Sequence, residues 1–459
     1  MDQMLDKKIT EFLASHREEM VADLQRLVRI ASYKEPAQPG APFGPGPTAC
    51  MREALKLCQG YGLTVHDVDG YCGYAQWGES PEHVATLSHM DTVPIGDGWV
   101  HDPLGAAYED GVIYGRGVAD NKAGAISSLY AVRALMAAGF APKMAIRLIF
   151  GCDEESGMGD MPYYLAHEKA PKYAFSPDAG FPLYYAEKGR IDGRVTAAFT
   201  ASTALVRVEG GVAANVVPAD ATAWLRGYTA ADLPASAYID LHDEDGLAVV
   251  HASGISCHGG SPQGGRNAAA LLYDYLARVL PAEDGAYDAL TSFASLIGMH
   301  LDGKGMGIDC TDDVAGELTM NIGVIGGGSD GIWFHFDIRH PVTLDAEATA
   351  RRMQQIFSAN GWQLPEPHVS KPLYVPLDSP LITTLMGVYQ EITGDMTPPA
   401  TMGGGTYART LPCAVSFGHA FAGDNSRAHT YEENLNVDQL IKATRIYAHA
   451  LAQLSCLEE

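Results

Sequence analysis

Three segments decide the fold of this 459-residue chain: LSHMDTVP (residues 87–94), GRGVADNK (115–122) and IFGCDEESG (149–157). Residues 84–87 form a short apolar run that ends at His89, and residues 144–150 form a second run that ends near Glu154. Residues 123–136, between these runs, have helical spacing and few helix breakers. This order predicts a parallel βαβ unit. Because open α/β sheets bind ligands at the carboxyl ends of their strands, the acidic and histidine residues found there predict a metal site.

Length, composition and charge exclude several classes of protein. A chain of 459 residues with 47% hydrophobic residues is too long for one ordinary core and too apolar for disorder, so at least two folded domains are expected. The formal net charge of −25 makes nucleic acid and anionic membrane surfaces poor partners. No apolar run is long enough to span a bilayer, and residues 1–30 lack a secretory apolar segment, which predicts a cytoplasmic protein.

The pattern of elements predicts two domains. Residues 1–188 and 378–459 alternate strands with helices, which predicts an α/β catalytic domain with a central, mostly parallel sheet flanked by helices. Residues 189–377 contain alternating apolar and polar runs punctuated by Gly, Asn and Asp, a pattern typical of antiparallel sheets with one exposed face. We therefore expect an inserted α+β domain. At the N-terminus, residues 7–30 predict a single helix.

Four residues at or near strand ends predict most of a two-metal site: His89, Asp120, Glu155 and Asp178. A hydrolytic two-metal site needs a bridging carboxylate, about two further ligands per ion, and open positions for water and substrate. Asp120 is the predicted bridge, with His89 and Asp178 completing one site and Glu155 and His429 the other. His419 is the alternative to His429. Nitrogen and oxygen donors without sulfur suit Zn, and Mn or Co can substitute.

Two further acidic residues are expected to assist these ligands. Asp91 lies two residues from His89 and is predicted to accept a hydrogen bond from its imidazole, which would fix the tautomer. Glu154 adjoins Glu155 and is predicted to be the general base that takes a proton from the attacking water and then protonates the leaving nitrogen.

The motif set resembles the co-catalytic zinc metallopeptidases grouped with acetylornithine deacetylase, succinyl-diaminopimelate desuccinylase, glutamate carboxypeptidase and carnosinase. Within that family it looks most like the PepV-type bacterial dipeptidases. The resemblance is carried by SHMDTVP (88–94), GRGVADNK (115–122), CDEESG (152–157), SPD (176–178), GVAANVVP (211–218), CHGGSPQ (257–263), DIRHP (337–341) and GGGTYAR (403–409). It implies the ligand scheme above, Asp91 and Glu154 in the roles above, a cis peptide at Asp120-Asn121, and a lid role for the inserted domain.

The resemblance also implies how the lid binds substrate. His258 matches the histidine that hydrogen-bonds the scissile carbonyl and stabilises the oxyanion. Arg339 matches the residue that binds the terminal carboxylate of the substrate, for which a guanidinium is well suited. Further candidates for holding that carboxylate are Asn215, Gly404, Gly405 and Thr406.

The implied activity is that of a metal-dependent dipeptidase, which hydrolyses short peptides with free termini through a water held between two metal ions. One alternative is an N-acyl-amino-acid amidohydrolase of the deacetylase or desuccinylase type. Residues 401–409 lack the acidic residue usual in those branches, which disfavours this alternative. The other is a non-catalytic metal- or ligand-binding protein, which would not need Glu154. The long insertion implies a monomer whose own lid supplies His258, with a homodimer as the alternative.

Overall fold

The computed structural model describes residues 2–457 of the chain. Within that range there are ten α-helices, and none of them is long and apolar enough to cross a membrane. The helices are α1 (Gln3–Ser15), α2 (Arg17–Val28), α3 (Pro45–Gly60), α4 (Ala123–Ala138), α5 (Asp160–His167), α6 (Ala268–Val279), α7 (Tyr287–Leu296), α8 (Ala346–Ala359), α9 (Pro380–Thr393) and α10 (Val437–Leu454).

The same residues contain 24 strands. The first twelve are β1 (Thr64–Val68), β2 (Cys72–Trp77), β3 (His83–His89), β4 (Ala107–Glu109), β5 (Val112–Tyr114), β6 (Ala145–Gly151), β7 (Tyr173–Ser176), β8 (Ala179–Gly180), β9 (Tyr184–Glu187), β10 (Gly189–Ala198), β11 (Leu205–Gly210) and β12 (Asp220–Leu225). The others are β13 (Ile239–Glu244), β14 (Leu247–Ser253), β15 (Thr311–Asp312), β16 (Gly316–Glu317), β17 (Thr319–Gly328), β18 (Gly331–His340), β19 (His368–Ser370), β20 (Leu373–Tyr374), β21 (Ala400–Met402), β22 (Ala414–Ser416), β23 (His419–Ala420) and β24 (Asn434–Asn436).

The first of two compact units contains the residues up to Tyr185, Tyr374–Ala400 and the residues from Gly405 onward. Six strands of its central sheet run in the order β1-β2-β6-β3-β7-β22. β3 is parallel to β6 and β7, and β7 is parallel to β22, whereas β1 and β2 form an antiparallel hairpin. All seven residues of β3 are buried, as expected for a parallel strand covered on both faces. The predicted βαβ unit is confirmed, and the carboxyl ends of β6, β3 and β7 are neighbours.

The second unit contains Ala186–Leu373 and Thr401–Gly404. Its eight-stranded sheet runs in the order β13-β14-β12-β11-β17-β18-β10-β19, and every neighbouring pair is antiparallel. Buried and partly exposed residues alternate along the first half of β18, as in a sheet with one core face. Phe334 on that face contacts the rings of Phe293, Phe357 and Trp362, so an aromatic cluster fills the core between this sheet and α7 and α8.

The structure differs from the sequence-based expectation in one helix and in the bounds of the two units, since residues 186–188 fall in the second unit and residues 374–377 in the first. The helix expected over residues 7–30 is two helices, α1 and α2, because the backbone of His16 leaves helical values (φ −112°, ψ 16°) and its Nδ1 lies 2.8 Å from the carbonyl oxygen of Phe12. Thr401–Gly404, expected with the catalytic domain, belongs to the second unit. There the Lys188 N–H donates to the Met402 carbonyl at 3.0 Å and holds the segment.

We predict that Phe334→Ala destabilises the second unit by about 3–5 kcal/mol, because it removes a fully buried ring and leaves a cavity among the three neighbouring aromatic rings. Denaturant unfolding followed by tryptophan fluorescence measures the change. Met299→Ala is the control, since Met299 is 44% exposed and its loss is expected to change stability by less than about 0.5 kcal/mol. Equal stability of the two variants would contradict this assignment of the core.

Candidate metal centre and active site

Side chains that follow β3, β6 and β7 meet at one edge of the central sheet. His89 is the last residue of β3, Glu154 and Glu155 follow the end of β6, and Asp178 follows the end of β7. The ligand atoms of His89, Glu154 and Asp178 lie within 4.8 Å of one another, and those of His89, Asp120 and Glu155 do the same. The structure therefore brings the donors near these strand ends into one cluster.

Asp120 lies between the two histidines of this cluster. Its Oδ1 is 2.9 Å from Nε2 of His89, and its Oδ2 is 2.9 Å from Nε2 of His429. The same nitrogen of His429 is 3.2 Å from Oε1 of Glu155, and Nε2 of His89 is 3.5 Å from Oδ2 of Asp178. One oxygen of Asp120 thus faces His89, which adjoins Asp178, and the other faces His429, which adjoins Glu155. A carboxylate that bridges two ions requires this arrangement. The Asp120-Asn121 peptide is cis, as the resemblance implies.

The rival histidine, His419, lies beside the residue that precedes Asp178 and contacts the main chain there. It is buried, and its Nδ1 lies 3.0 Å from the carbonyl oxygen of Pro177. His429, by contrast, contacts carboxylates of both Asp120 and Glu155. The geometry therefore supports His429 as the fifth ligand.

The tautomer of His89 is set by the main chain. Its Nδ1 donates to the carbonyl oxygen of Asp91 at 2.9 Å, so in the neutral ring the lone pair lies on Nε2, the nitrogen that faces the carboxylates. The carboxylate of Asp91 is farther away, at 3.5 Å. Its two oxygens instead accept the backbone N–H groups of Glu154 at 3.2 Å and Glu155 at 3.1 Å. Asp91 therefore orients the imidazole through its backbone and holds the Glu154-Glu155 turn through its side chain.

Three residues that sequence analysis missed support the cluster from outside. The side-chain amide of Asn121 donates to Oδ1 of Asp178 at 2.9 Å, and this fixes the carboxylate beside His89. The carboxylate of Asp160 accepts the N–H groups of Cys152 at 2.6 Å and of the next residue at 3.1 Å, and the hydroxyl of Tyr407 donates to the same carboxylate. The only sequence signals are the places of Asn121 in the GRGVADNK segment and of Tyr407 in the GGGTYAR segment, and the isolated Asp160 gives none.

Burial and mutual repulsion perturb the acidic groups of the cluster. Burial, together with the charges of Asp178 and Glu155, raises the pKa of Glu154 well above its ordinary value. Burial and the nearby Asp120 also raise the pKa values of Glu155 and Asp178. Several carboxylates therefore share one desolvated site, and a cationic partner would remove the repulsion between them.

The same negative charges also raise the pKa values of the two histidines, and so favour their charged form. Hydrogen bonds to Asp120 and Glu155 raise the pKa of His429 to about 11. Burial alone would lower the pKa of His89, but Asp178 and Asp120 raise it well above its ordinary value. Protons on these imidazoles thus occupy the positions at which divalent cations would bind.

The residues fit a pair of divalent metal ions. The Oε1 atom of Glu155 is buried and lies 3.2 Å from Nε2 of His429, so two donor atoms of different chemistry face the same position in the cluster. The donors are imidazole nitrogens and carboxylate oxygens, the combination that suits Zn and related ions. His89, Asp120 and Asp178 can hold one ion, and Asp120, Glu155 and His429 can hold the other.

The second unit gathers most of the predicted substrate-binding residues into a cluster of its own. The carbonyl of Asn215 accepts the N–H of Gly259 at 2.7 Å, which places Asn215 beside the loop that carries His258. The next residue of that loop, Gly260, approaches Gly403 so closely that a Cβ at Gly403 would lie 2.6 Å from its carbonyl oxygen. Glycine is therefore required where this loop meets the 401–404 segment.

Arg339 is held at the same place by a carboxylate and a carbonyl. Its Nε donates to Oδ1 of Asp337 at 2.6 Å, its Nη2 donates to Oδ2 at 3.1 Å, and its Nη1 donates to the Gly403 carbonyl at 3.1 Å. This bidentate pairing fixes the plane of a buried guanidinium.

The predicted carboxylate-binding residues of the 404–406 segment fall in different units. Gly404 belongs to the second unit, whereas Gly405 and Thr406 belong to the first. Thr406 is buried, its hydroxyl lies 2.7 Å from that of Ser416, and it accepts the N–H of Ala408 at 3.1 Å. The side chain of Thr406 is therefore engaged in local structure.

The chain belongs to peptidase family M20/M25/M40, whose sequence profile matches residues 85–453. It is 34% identical over 460 residues to "Putative dipeptidase YtjP" of Bacillus subtilis strain 168, and this similarity covers 96% of the chain and 98% of that protein. It is 31% identical over 467 residues to "Putative dipeptidase SH1171" of Staphylococcus haemolyticus strain JCSC1435, with 98% of the chain and 99% of that protein covered. Human carnosine dipeptidase 1 has the same fold, with a TM-score of 0.60, 16% identity and 99% of each chain covered. The family resemblance and the α/β fold with a second α+β unit are confirmed.

We predict that metal binding to the metal-free protein at neutral pH releases about one proton or more per chain, because the proton on His429 must leave before its nitrogen can bind an ion. The raised pKa means that the imidazole is protonated at neutral pH, so the apparent metal affinity increases as pH rises. Calorimetry in buffers of different ionisation enthalpy measures the protons released.

His429→Gln is expected to reduce the number of protons released. His167→Gln is the control, because His167 is exposed and its ring contacts Tyr163 rather than the cluster. A metal affinity that does not change with pH, or proton release that does not depend on His429, would contradict the prediction.

Proposed function

We propose that this chain is a metal-dependent dipeptidase that hydrolyses the peptide bond of short substrates with free termini. The observation that carries the proposal is the position of Glu154: its carboxylate lies within 4.8 Å of the donor atoms of His89 and Asp178, although Asp120 already completes their ligand set. A binding protein has no use for an additional, half-buried carboxylate at this place, whereas a hydrolase needs a base there. Membership of a peptidase family and two full-length relatives named as dipeptidases support the same conclusion.

When bound, divalent ions at this site lower the pKa of a water molecule and polarise the scissile carbonyl. Zn is the proposed metal, held by His89, Asp120, Glu155, Asp178 and His429. The site lies in a chain of formal charge −25, but its own donor set and not the net charge decides the affinity for metal.

Glu154 is the proposed general base. The hydrogen bond from its backbone N–H to Asp91 fixes the turn on which it lies, and its raised pKa brings it closer to the range in which a carboxylate exchanges protons at neutral pH. It takes a proton from the attacking water and gives a proton to the leaving nitrogen as the peptide bond breaks.

His258 is the proposed donor to the carbonyl oxygen of the substrate. The backbone N–H of Gly260 donates to its Nδ1 at 3.1 Å, so in the neutral ring the proton lies on Nε2. An Nε2–H group can donate to the carbonyl oxygen and stabilise the charge that develops there in the transition state. The main chain of the loop thus favours the tautomer with its proton on Nε2, which this role requires.

Arg339 is the proposed ligand of the substrate's terminal carboxylate. Three of its five N–H donors are committed to Asp337 and Gly403, and the remaining two belong to Nη1 and Nη2, the pair that binds a carboxylate in a bidentate manner. Asn215 and backbone N–H groups of Gly404, Gly405 and Thr406 are further proposed contacts. A cytoplasmic location and a monomeric state, in which one chain supplies both clusters, complete the proposal.

We predict that Glu154→Gln lowers kcat about 10²–10⁴-fold, because the substitution removes proton transfer but keeps the size of the side chain. Elemental analysis is expected to find two divalent ions per chain in both wild type and variant, since Glu154 is not among the five ligands. A fully active variant would refute the assignment of the base. Loss of metal from the variant would show that Glu154 is a ligand.

We predict that the wild type hydrolyses unblocked dipeptides and discriminates against dipeptides whose C-terminus is amidated. Arg339→Met is expected to lower kcat/KM for the unblocked substrate about 10- to 100-fold, because a charge-assisted bidentate contact is lost, and to change little for the amide. Steady-state kinetics on matched substrate pairs measures both effects.

Arg194→Met is the control for this substitution. Arg194 lies in the same sheet and stacks on Trp333, but it is exposed and has no proposed contact with substrate. N-acetyl and N-succinyl amino acids test the amidohydrolase alternative: if only these acylated substrates turn over, the chain is an amidohydrolase and the proposal is wrong.

A further inference from the structure

Glu433 is a buried carboxylate outside the proposed ligand set, and four hydrogen bonds converge on it. Its side chain is 1% exposed. It accepts Nη1 of Arg116 at 2.8 Å and the backbone N–H groups of Gly117 at 2.9 Å, Ala119 at 3.0 Å and Asp120 at 3.1 Å. Both oxygens are used, because Oε2 accepts the first two donors and Oε1 accepts the others. All four of these hydrogen bonds therefore come from one segment of the chain, residues 115–120.

Backbone N–H groups of this segment, residues 115–120, do not all find hydrogen-bond acceptors within the segment itself. Residues 118–122 form a single irregular turn in which Asp120 (φ −117°, ψ 92°) and Asn121 (φ −133°, ψ 27°) depart from helical values. The N–H groups of Gly117, Ala119 and Asp120 consequently lack the regular partners that a helix would give them. Without Glu433, three donors in a mostly buried turn would lose their acceptor.

Glu433 also lies on the segment that carries His429. It follows His429 by four residues and immediately precedes β24, which pairs with β5. Its own carbonyl accepts the N–H of Gly115 at 3.0 Å, so main chain and side chain of the same residue hold the 115–120 segment. The two segments joined in this way carry Asp120 and His429, whose side chains meet at 2.9 Å.

We propose that Glu433 is a positioning residue of the metal centre, which holds the backbone of Asp120 so that its two oxygens face His89 and His429. This inference rests on the proposed function, because it assumes that Asp120 bridges two ions. Arg116, itself 3% exposed, pairs with Glu433 and balances its charge, so the support adds no net charge beside the ligands. Outer residues of this kind commonly change metal affinity by about 10–100-fold when they are replaced.

The test compares metal affinity in Glu433→Gln and Glu432→Gln. The amide that replaces Glu433 keeps one acceptor oxygen, but its NH₂ group faces backbone N–H donors of residues 115–120. The substitution also leaves Arg116 without its carboxylate partner. The matched control, Glu432, lies on the same segment and accepts Nδ1 of His101 at 2.6 Å and the N–H groups of Val100 at 2.7 Å and His101 at 3.1 Å. It thus holds a neighbouring loop that carries none of the ligands.

Competition with a chromophoric zinc chelator, starting from the zinc-loaded enzyme, measures the affinity. Glu433→Gln is expected to weaken zinc binding about 10–100-fold, while Glu432→Gln binds zinc as the wild type does. Amide hydrogen exchange of residues 115–122 is expected to accelerate only in the first variant. A purely structural role would lower the melting temperature but leave the zinc affinity unchanged, and that result would overturn the inference.

A second measurement decides the matter if Glu433→Gln fails to fold. In the wild-type zinc-loaded enzyme, the amide hydrogens of Gly117, Ala119 and Asp120 are expected to exchange slowly, and to stay protected after the zinc is removed, since their acceptor is Glu433. Rapid exchange there would overturn the inference. A wild type that binds no divalent ion would overturn the proposed function as well. A wild type that binds two ions, with equal affinity in Glu433→Gln, would overturn only the role of Glu433.

Discussion

One carboxylate shared by two histidines is the contact on which the rest of this site depends. Asp120 reaches Nε2 of His89 with one oxygen and Nε2 of His429 with the other, each at 2.9 Å. These histidines are 340 residues apart in the sequence, and Asp120 contacts both of them directly. The two halves of the proposed centre therefore meet at this side chain.

The surrounding structure explains how such a group of charges is kept in place. Asp91 holds the Glu154-Glu155 turn, and Asn121 holds Asp178, in each case by a hydrogen bond from an amide to a carboxylate. Two of the ligand-bearing segments are thus held by hydrogen bonds to residues outside the ligand set. Burial first, and repulsion between neighbouring carboxylates second, raises the pKa values of Glu154, Glu155 and Asp178, and a bound cation would offset both effects.

The sequence predicts the parts of this site that depend on local pattern. The apolar runs before His89 and Glu154 predict strands, and because parallel strands end at one edge, the residues that follow them are expected to meet. The same reasoning could not assign His429 over His419. His419 follows a predicted strand at residues 414–417, whereas His429 lies in a loop, yet it is His429 that faces Asp120.

Contacts made through the backbone could not be predicted from the sequence, for a different reason. The carbonyl of Asp91, and not its carboxylate, accepts the hydrogen bond from Nδ1 of His89. A pattern of side chains in the sequence does not indicate which main-chain group will lie within hydrogen-bond distance. The break at His16 is similar, since no Gly or Pro marks it. The family resemblance supplied the roles of His258 and Arg339, which their local sequence alone did not establish.

The central claim is that two divalent ions share Asp120. Crystals of the zinc-loaded protein, measured on both sides of the zinc absorption edge, test this claim directly through anomalous difference density. The account predicts two peaks, one beside each oxygen of Asp120, with His89 next to the first and His429 next to the second. A single peak, or two peaks of which neither adjoins Asp120, would contradict it.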